Sequence, residues 1–247
     1  LSNKDPLSYY EYNISGSINL FSIMNEFDVK NLIFSSSATV YDPSKESPYS
    51  ENSLVGGCTN VYGQTKLYIE NFIKKIYKSD ENWSIGILRY FNPIGYHSSG
   101  KVYDFSSGIP ENLLPYILRV AQKKSSHLNV FGDDYLTNDG TGVRDYVHVE
   151  DLASGHKLAN LFIENSKKLK VWNLGSGRGH SVLEIIKIFE SETNIKIPYK
   201  ILPRRDGDVA KSVADISKAK EELGWSPETS LRESIATLNK LIKDSHE

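Results

Sequence analysis

The sequence predicts an α/β protein with a mainly parallel β-sheet. Short apolar runs of the length of a buried strand alternate along the chain with longer segments of helical periodicity. Between residues 31 and 90, strand, long helix and strand follow one another, which makes a βαβ unit with parallel strands and a right-handed crossover. No internal repeat or low-complexity segment interrupts this alternation.

The first βαβ unit is preceded by a predicted amphipathic helix over 6–27, where Pro6 suits the first helical turn. The apolar run at 31–34 is predicted to be a buried strand that ends in three serines. Residues 42–59 are rich in Pro, Ser, Asn and Gly and are predicted to be a loop. A helix over 61–77 and a second buried strand over 84–90 complete the unit.

The remaining elements continue the same alternation. We predict helices at 111–124, 150–164, 182–193, 216–223 and 230–243, strands at 128–131, 145–148, 171–174 and 199–202, and loops at 95–109 and 132–142. Ser181 and Glu184 have the spacing of a capping box at the start of the helix over 182–193. Gly224 is predicted to close the helix at 216–223.

Composition excludes several classes of protein. The 247 residues include 29 Lys+Arg and 31 Asp+Glu, a formal net charge of −2, and 39% are hydrophobic, which is neither a nucleic-acid-binding nor a disordered composition. No apolar run approaches the roughly 18–20 residues that span a bilayer, so no membrane partner is expected. The single Cys58 and six scattered histidines give no metal-ligand spacing, and we expect no metal and a cytoplasmic location.

One pair of residues has the chemistry of a general acid and base. Tyr62 and Lys66 stand at i and i+4 of the predicted helix over 61–77, so both side chains can point into one site. A free phenol has a pKa of about 10, and a nearby positive charge favours the phenolate. Such a pair can move protons, although the same spacing is common on solvated helix faces.

A second group of polar residues follows the first buried strand. Ser35, Ser36, Ser37, Ala38 and Thr39 stand at its carboxyl end, where open parallel sheets place their ligands. Their hydroxyls can bind a substrate alcohol, whereas the simpler interpretation is a polar exit from the strand. Tyr62 opens the next helix and is expected to approach Ser37.

Together these features resemble the extended short-chain dehydrogenase/reductase family. Serines follow an apolar strand, Tyr-x-x-x-Lys lies on the next helix, and an Arg-Tyr-Phe-Asn-Pro sequence follows the next strand. Within that family, the resemblance is to the UDP-glucose 4-epimerases. It is carried, in family order, by residues 34–41, 88–93, 140–149, 173–175 and 204–208.

The resemblance implies the domain organisation. Residues 1–92 would form the second half of a Rossmann-type parallel sheet, a partial NAD-binding domain. Residues 93–247 would form a smaller α/β substrate-binding domain for the nucleotide sugar, with some elements returning to the sheet. The family begins with a strand, a Gly-x-x-Gly-x-x-Gly turn and a helix, which this sequence lacks. We therefore expect an N-terminally truncated form.

The resemblance also implies a reaction, the NAD-dependent interconversion of UDP-glucose and UDP-galactose by transient oxidation at C4. Tyr62 would take the proton of the sugar 4-hydroxyl, Lys66 would lower the pKa of Tyr62 and hold the nicotinamide ribose, and Ser37 would hydrogen-bond O4. The expected cofactor-binding residues are Asn13, Ser35, Ser37, Tyr62, Lys66, Tyr90 and Phe91.

The expected partners are a UDP-sugar and, in the intact protein, a second copy of the chain. The arginines suit a diphosphate because guanidinium binds phosphate oxygens bidentately. The substrate-binding residues implied by the resemblance are Ser37, Ala38, Thr39, Tyr90, Phe91, Asn92, Glu111, Asn112, Leu113, Asn129, Val130, Phe131, Arg144, Arg205, Asp206, Gly207, Asp208 and Ser212.

Two residues depart from the family pattern, and one glycine-rich turn could be mistaken for a dinucleotide-binding site. Glu111 stands where Asn is common and would bring a carboxylate close to a diphosphate. Ser212 stands where a bulky residue is common, which leads us to expect that a 2-acetamido sugar is also accepted. The Gly-x-Gly-x-Gly turn at 175–179 has the wrong spacing for a dinucleotide site and is assigned to the substrate half.

Two alternatives stay open. One is another nucleotide-sugar epimerase or dehydratase of the same superfamily. A dehydratase is disfavoured because Ala38 and Thr39 stand where acidic residues are common. The other is an inactive truncated remnant that binds a UDP-sugar or a protein partner.

Overall fold

The computed structural model describes residues 2–99, 110 and 112–238, and the chain divides into two compact units. Unit 1 consists of Leu1–Phe91, Ser154–Leu174 and Ala214–Ser226. Unit 2 consists of Asn92–Ala153, Gly175–Val213 and the chain from Pro227 onward. Both units combine helices with parallel strands, which confirms the predicted α/β class.

Unit 1 is built on a three-stranded parallel sheet in the order β1-β2-β6. The strands are β1 (Asn31–Ser37), β2 (Ser84–Tyr90) and β6 (Leu169–Leu174). Ser37 pairs with Tyr90, and Tyr90 pairs with Leu174, so all three strands end at the same level. Their carboxyl ends therefore form one edge. The three serines predicted to follow β1 belong to the strand itself, because ladder pairing with β2 continues through Ser37.

The helix between these strands, α3 (Val61–Ser79), matches the prediction closely. Asn60 caps it by accepting a 2.8 Å hydrogen bond from the Gly63 amide. Its apolar side packs Ile69 and Ile73 against Trp83, Ile85 and Ile87, all fully or almost fully buried. Burial of these large side chains holds α3 against β2.

The predicted helix over 6–27 is not uniform. It consists of α1 (Pro6–Tyr9), a π-helical segment (Tyr10–Ser15) and α2 (Gly16–Glu26). The π-helical segment faces α3, where the Asn13 amide donates to Thr65 Oγ1 at 2.9 Å and the Tyr10 hydroxyl donates to Gln64 at 3.0 Å. Apolar periodicity cannot reveal such a segment, because its extra residue per turn depends on these contacts to another element.

Unit 2 contains two small groups of strands. One is ordered β3-β5-β7, with β9 also pairing β5, and the other is the parallel pair β4-β8. Their bounds are Asn92–Ile94 (β3), Leu128–Phe131 (β4), Val143–His148 (β5), Gly179–Ser181 (β7), Tyr199–Leu202 (β8) and Lys211–Ser212 (β9). β3, β7 and β9 were not predicted, because two or three residues are too few to show a strand pattern.

The remaining helices are α4 (Leu113–Ala121), α5 (Val149–Glu164), α6 (Val182–Thr193), α7 (Ser217–Leu223) and α8 (Leu231–Ala236). Both predicted end signals are confirmed. Ser181 and Glu184 form a capping box on α6, and Gly224 ends α7 with a φ of +64°. Most of the loop at 95–109 and the end of the helix at 230–243 lie outside the described residues. Within the described part of the chain, no helix has both the length and the apolarity needed to cross a membrane.

Candidate functional sites

The first candidate site lies in unit 1 at the carboxyl edge of its sheet. Ser37 ends β1, and its hydroxyl oxygen accepts hydrogen bonds from the amide (3.3 Å) and the hydroxyl (3.0 Å) of Thr39. The Ser37 hydrogen is therefore left to donate elsewhere. Tyr62 lies in the first turn of α3, and its hydroxyl interacts with Ser37. The structure thus brings Ser37 and Tyr62 together, as predicted.

A close approach between α3 and the turn after β1 makes this convergence possible. A Cβ atom placed on Gly63 would lie 2.8 Å from the carbonyl oxygen of Thr39, a distance that backbone atoms cannot accommodate without moving. Glycine next to Tyr62 therefore allows the helix start to sit against the end of β1.

Lys66 lies one turn further along α3, on the same side as Tyr62. Its ammonium donates to the Ser35 carbonyl at 3.0 Å and lies 5.6 Å from the centroid of the Tyr62 ring. It also lies 5.1 Å from the Phe34 ring centroid. Burial lowers the pKa of Lys66.

The expected effect of Lys66 on Tyr62 is not present in this structure. Burial raises the pKa of Tyr62 above its ordinary value, and the interaction with Ser37 opposes that change only in part. The physical reason lies in the geometry, since the Lys66 ammonium is bound to a backbone carbonyl. The pKa of Tyr62 is therefore raised in this structure, and the effect of Lys66 on it stays a prediction.

Tyr90 joins the site from the end of β2, together with a residue that the sequence analysis missed. Its hydroxyl donates to Ser35 Oγ at 2.7 Å and also contacts Nε2 of His156, which lies on α5. The two rings have centroids 5.2 Å apart. No spacing in the sequence relates His156 to Tyr90, because only the fold places this helix beside β2.

Other predicted residues of this site have different surroundings. Phe91 is 5% exposed and packs in an apolar cluster with Tyr41, Tyr49 and Ala214. Its side chain is therefore part of the core. Asn13 lies beside α3 and is bound to Thr65 rather than to Tyr62 or Lys66. Ala38 and Thr39 form the 3₁₀ turn that follows Ser37.

Behind this edge lies a buried ion pair. Glu70 of α3 and Arg89 of β2 have side chains that are 0% and 2% exposed. Arg89 donates to both carboxylate oxygens, at 2.9 and 2.6 Å, and the Ser36 hydroxyl donates to one of them at 2.7 Å. Burial acts to raise the pKa of Glu70, but hydrogen bonds and charge from Arg89, with the Ser36 hydrogen bond, outweigh it and hold that pKa below its ordinary value.

The second candidate site is a cavity of about 210 Å³ in unit 2. It brings together nine of the thirteen predicted substrate residues that belong to unit 2. Those that line it are Asn92, Asn112, Leu113, Asn129, Val130, Phe131, Arg144, Arg205 and Asp208. They come from β3, α4, β4, β5 and the loop after β8.

The two arginines of this cavity are positioned by hydrogen bonds in one case and by an aromatic ring in the other. Arg144 donates to the Val143 and Val209 carbonyls at 2.9 and 2.8 Å and reaches Asp208 at 3.4 Å. The Arg205 guanidinium lies 3.8 Å from the centroid of the Phe131 ring. A guanidinium over an aromatic face does not use its N–H groups for that contact, so they can bind an anion.

Three of the predicted residues of unit 2 that the structure describes do not line the cavity. Asp206 and Gly207 lie in the adjoining turn, where Gly207 has a φ of +82°. Ser212 lies on β9, paired with Arg144. Glu111 lies outside the described residues. The sequence analysis also missed four lining residues, Tyr135, Gly142, Tyr146 and Val182.

Only one of these four residues could have been predicted from the sequence. Tyr146 stands two positions after Arg144 on β5, and residues i and i+2 of a strand share a face. Tyr135 lies in the predicted loop over 132–142, yet it is 6% exposed, and the Arg204 guanidinium lies over its ring, 4.0 Å from the ring centroid.

The glycine turn at 175–179 has a structural role. Asp145 is fully buried and accepts hydrogen bonds from the Ser176 amide and hydroxyl, both at 2.6 Å, and from the Gly177 amide at 2.9 Å. Because a carboxylate of the protein already occupies these amide groups, the turn does not offer them to a phosphate.

Comparison with known proteins places the chain in a family. The sequence profile of the NAD dependent epimerase/dehydratase family matches residues 1–175. The chain belongs to this family. UDP-glucose 4-epimerase of Mus musculus is 50% identical over 224 residues, which cover 91% of this chain and 65% of that protein. The chain thus spans about two thirds of the length of this relative.

Two solved structures of family members are similar over nearly the whole chain. UDP-glucose-4-epimerase from Stenotrophomonas maltophila, with bound NAD and formylated UDP-arabinopyranose, has a TM-score of 0.95 and 44% identity, covering 99% of this chain and 73% of that one. UDP-glucose 4-epimerase from Bifidobacterium longum, in complex with NAD+ and UDP, has a TM-score of 0.94 and 45% identity, covering 98% and 72%.

Proposed function

We propose that the full-length protein interconverts UDP-glucose and UDP-galactose with NAD as cofactor. The observation that carries this proposal is the convergence of Tyr62, Lys66 and Ser37 at the carboxyl edge of a parallel sheet. The mouse and bacterial relatives named above carry the same activity in their names, at 44–50% identity.

We further propose a division of labour between the units. Residues 1–92 supply part of the NAD-binding domain, and residues 93–247 bind the nucleotide sugar, with the stretches 154–174 and 214–226 returning to unit 1. The two kinds of functional group lie in different units, which supports this proposal. Tyr62, Lys66 and Ser37 lie in unit 1. Arg144, Arg205 and Asp208 line the cavity of unit 2.

The donor groups of unit 1 suit the nicotinamide end of NAD. A lysine ammonium has three N–H donors, so one bond to Ser35 leaves Lys66 able to hold a ribose hydroxyl. Tyr90 and Ser35 lie beside it. When bound, NAD would supply the hydride chemistry, by taking a hydride from C4 of the sugar and giving it back to the opposite face of that carbon.

The proton that accompanies this hydride is assigned to Tyr62. Its phenolate takes the proton of the sugar 4-hydroxyl. The Ser37 hydroxyl donates a hydrogen bond to O4 and keeps its own proton. Return of the proton from Tyr62 to O4 would then form the alcohol of opposite configuration and complete the epimerisation. Because burial alone raises the pKa of Tyr62, the phenolate needs a positive charge nearby. The Lys66 ammonium supplies one if it moves from the Ser35 carbonyl toward the phenol.

Unit 2 would hold the UDP part of the substrate. Arg205 places its guanidinium over the face of the Phe131 ring, and Arg144 lines the same cavity. Asn129 and Asp208 supply an amide and a carboxylate, which can hydrogen-bond the polar edge of a uracil or the ribose hydroxyls.

Replacing the phenol tests the catalytic assignment. Tyr62→Phe in the full-length protein should lower kcat for UDP-galactose by roughly 10²- to 10⁴-fold, because the transferred proton loses its acceptor. The affinity for UDP should change by less than about twofold, since the cavity of unit 2 is untouched. Tyr68→Phe on the same helix, 47% exposed, is the matched control and should keep full activity. Turnover of Tyr62→Phe at the parental rate would show that another group is the base.

Two neighbouring arginines test the nucleotide site. Arg205→Ala should weaken UDP binding by roughly 10- to 100-fold in calorimetry, because a charge-assisted contact to phosphate is lost. Arg204→Ala is the control, since Arg204 binds Asp134 at 2.6 Å and does not line the cavity. Equal losses in the two variants would contradict the assignment.

Ser212 tests acceptance of N-acetylated substrates. We propose that its small side chain leaves room for a 2-acetamido group, so UDP-GlcNAc is also a substrate. Ser212→Tyr should lower turnover of UDP-GlcNAc at least tenfold more than that of UDP-glucose, and Ser212→Ala should preserve both, because overfilling a site costs about 1–3 kcal/mol. An unchanged ratio of the two rates in Ser212→Tyr would refute this.

We also propose that the full-length protein is a homodimer. Leu20, Ile23 and Phe27 of the α2 region share one side at helical spacing and are 50–69% exposed. Sedimentation velocity should show a dimer for the parent and a monomer for Ile23→Glu/Phe27→Glu, which places charge in the apolar contact. Leu161→Glu, an equally exposed leucine on α5, should remain dimeric. A monomeric parent would disprove the proposal.

A further inference from the structure

The buried Glu70–Arg89 pair lies next to the residues proposed to act on the substrate. Glu70 stands four residues after Lys66 and eight after Tyr62, so the three side chains lie on one side of α3, a turn apart. Each of them meets β1: Tyr62 at Ser37, Lys66 at the Ser35 carbonyl and Glu70 at the Ser36 hydroxyl.

Arg89 extends the same contact to β2 and to the loop after β1. It is the residue before Tyr90, and its guanidinium binds both oxygens of Glu70. The guanidinium also lies 4.8 Å from the centroid of the Tyr41 ring. One carboxylate of α3 is thus bound to a hydroxyl of β1 and a guanidinium of β2, next to the residues proposed to act on the substrate.

Such a geometry restricts how α3 can move. A bidentate guanidinium–carboxylate pair fixes both the distance between the two side chains and their orientation. Apolar packing by Ile69 and Ile73 restricts distance and orientation less strictly. Rotation of α3 about its axis, or a shift along it, would carry Tyr62 away from Ser37 and break the bonds at Glu70 together.

We propose that Ser36, Glu70 and Arg89 are positioning residues that hold Tyr62 and Lys66 in register with Ser37. This inference rests on the proposed function of Tyr62 and names the part of the fold that keeps it in place. We expect the chain to fold when both members of the pair are replaced, because a buried ion pair can often be exchanged for apolar residues of similar volume without loss of stability.

The test replaces both charges at once, so that neither is left buried alone. Glu70→Met/Arg89→Met in the full-length protein should fold and keep the UDP affinity of the parent. Its kcat should fall by roughly 10- to 100-fold with little change in KM, because a displacement of about 1 Å at the reacting atoms is costly. Lys170→Met/Glu222→Met removes a 2.6 Å ion pair between β6 and α7 and should leave kcat unchanged.

A second readout does not depend on activity. With ¹³Cζ-labelled tyrosine, the NMR signal of Tyr62, assigned by its loss in Tyr62→Phe, should shift or broaden in Glu70→Met/Arg89→Met. The signal of Tyr68 should not change. If the double variant unfolds, Ser36→Ala, which removes one hydroxyl from the same network, is measured instead and should change the Tyr62 signal in the same way.

The outcomes separate the two proposals. If the unsubstituted full-length protein lacks epimerase activity, the proposed function is wrong. The NMR signal of Tyr62 in the double variant then still tests the positioning role. An unmoved Tyr62 signal in a folded variant overturns the positioning proposal, whatever the activity. So does a parental kcat in the double variant of an active enzyme.

Discussion

The parallel register of β1, β2 and β6 is the constraint on which the candidate site of unit 1 depends. Ser37, Tyr90 and Leu174 lie side by side because the strands are hydrogen-bonded in that register. A shift of one residue would turn every side chain to the opposite face. It would move Ser36 away from Glu70 and Ser35 away from Tyr90, so the site and the network behind it would be lost together.

Burial then decides the electrostatics of the site. Both the phenol of Tyr62 and the ammonium of Lys66 are shifted toward their neutral forms, because the surrounding protein replaces water. Glu70 shows the opposite outcome, since a bidentate arginine outweighs the cost of burying its charge. Charge is thus kept where it holds the structure. At Tyr62 and Lys66, where protons are proposed to move, burial disfavours the charged forms.

Local patterns predicted most elements but not their details. Caps were visible because they depend on residues a few positions apart, as with Ser181 and Glu184. The π-helical segment at 10–15 depends on contacts with α3, and the short strands β7 and β9 depend on pairing with β5. His156 and Tyr135 were missed for the same reason, because their partners are distant in sequence.

The sequence by itself determined the α/β class, the Tyr62–Lys66 spacing on one helix face and, through its motifs, the family. These follow from periodicity and from short-range order, which one strand or helix carries alone. Only the tertiary structure decided that Phe91 is buried in the core, that Lys66 is bound to the Ser35 carbonyl, and that Asp145 occupies the glycine turn. Burial and hydrogen bonding are set by elements that meet in space, and no local pattern contains them.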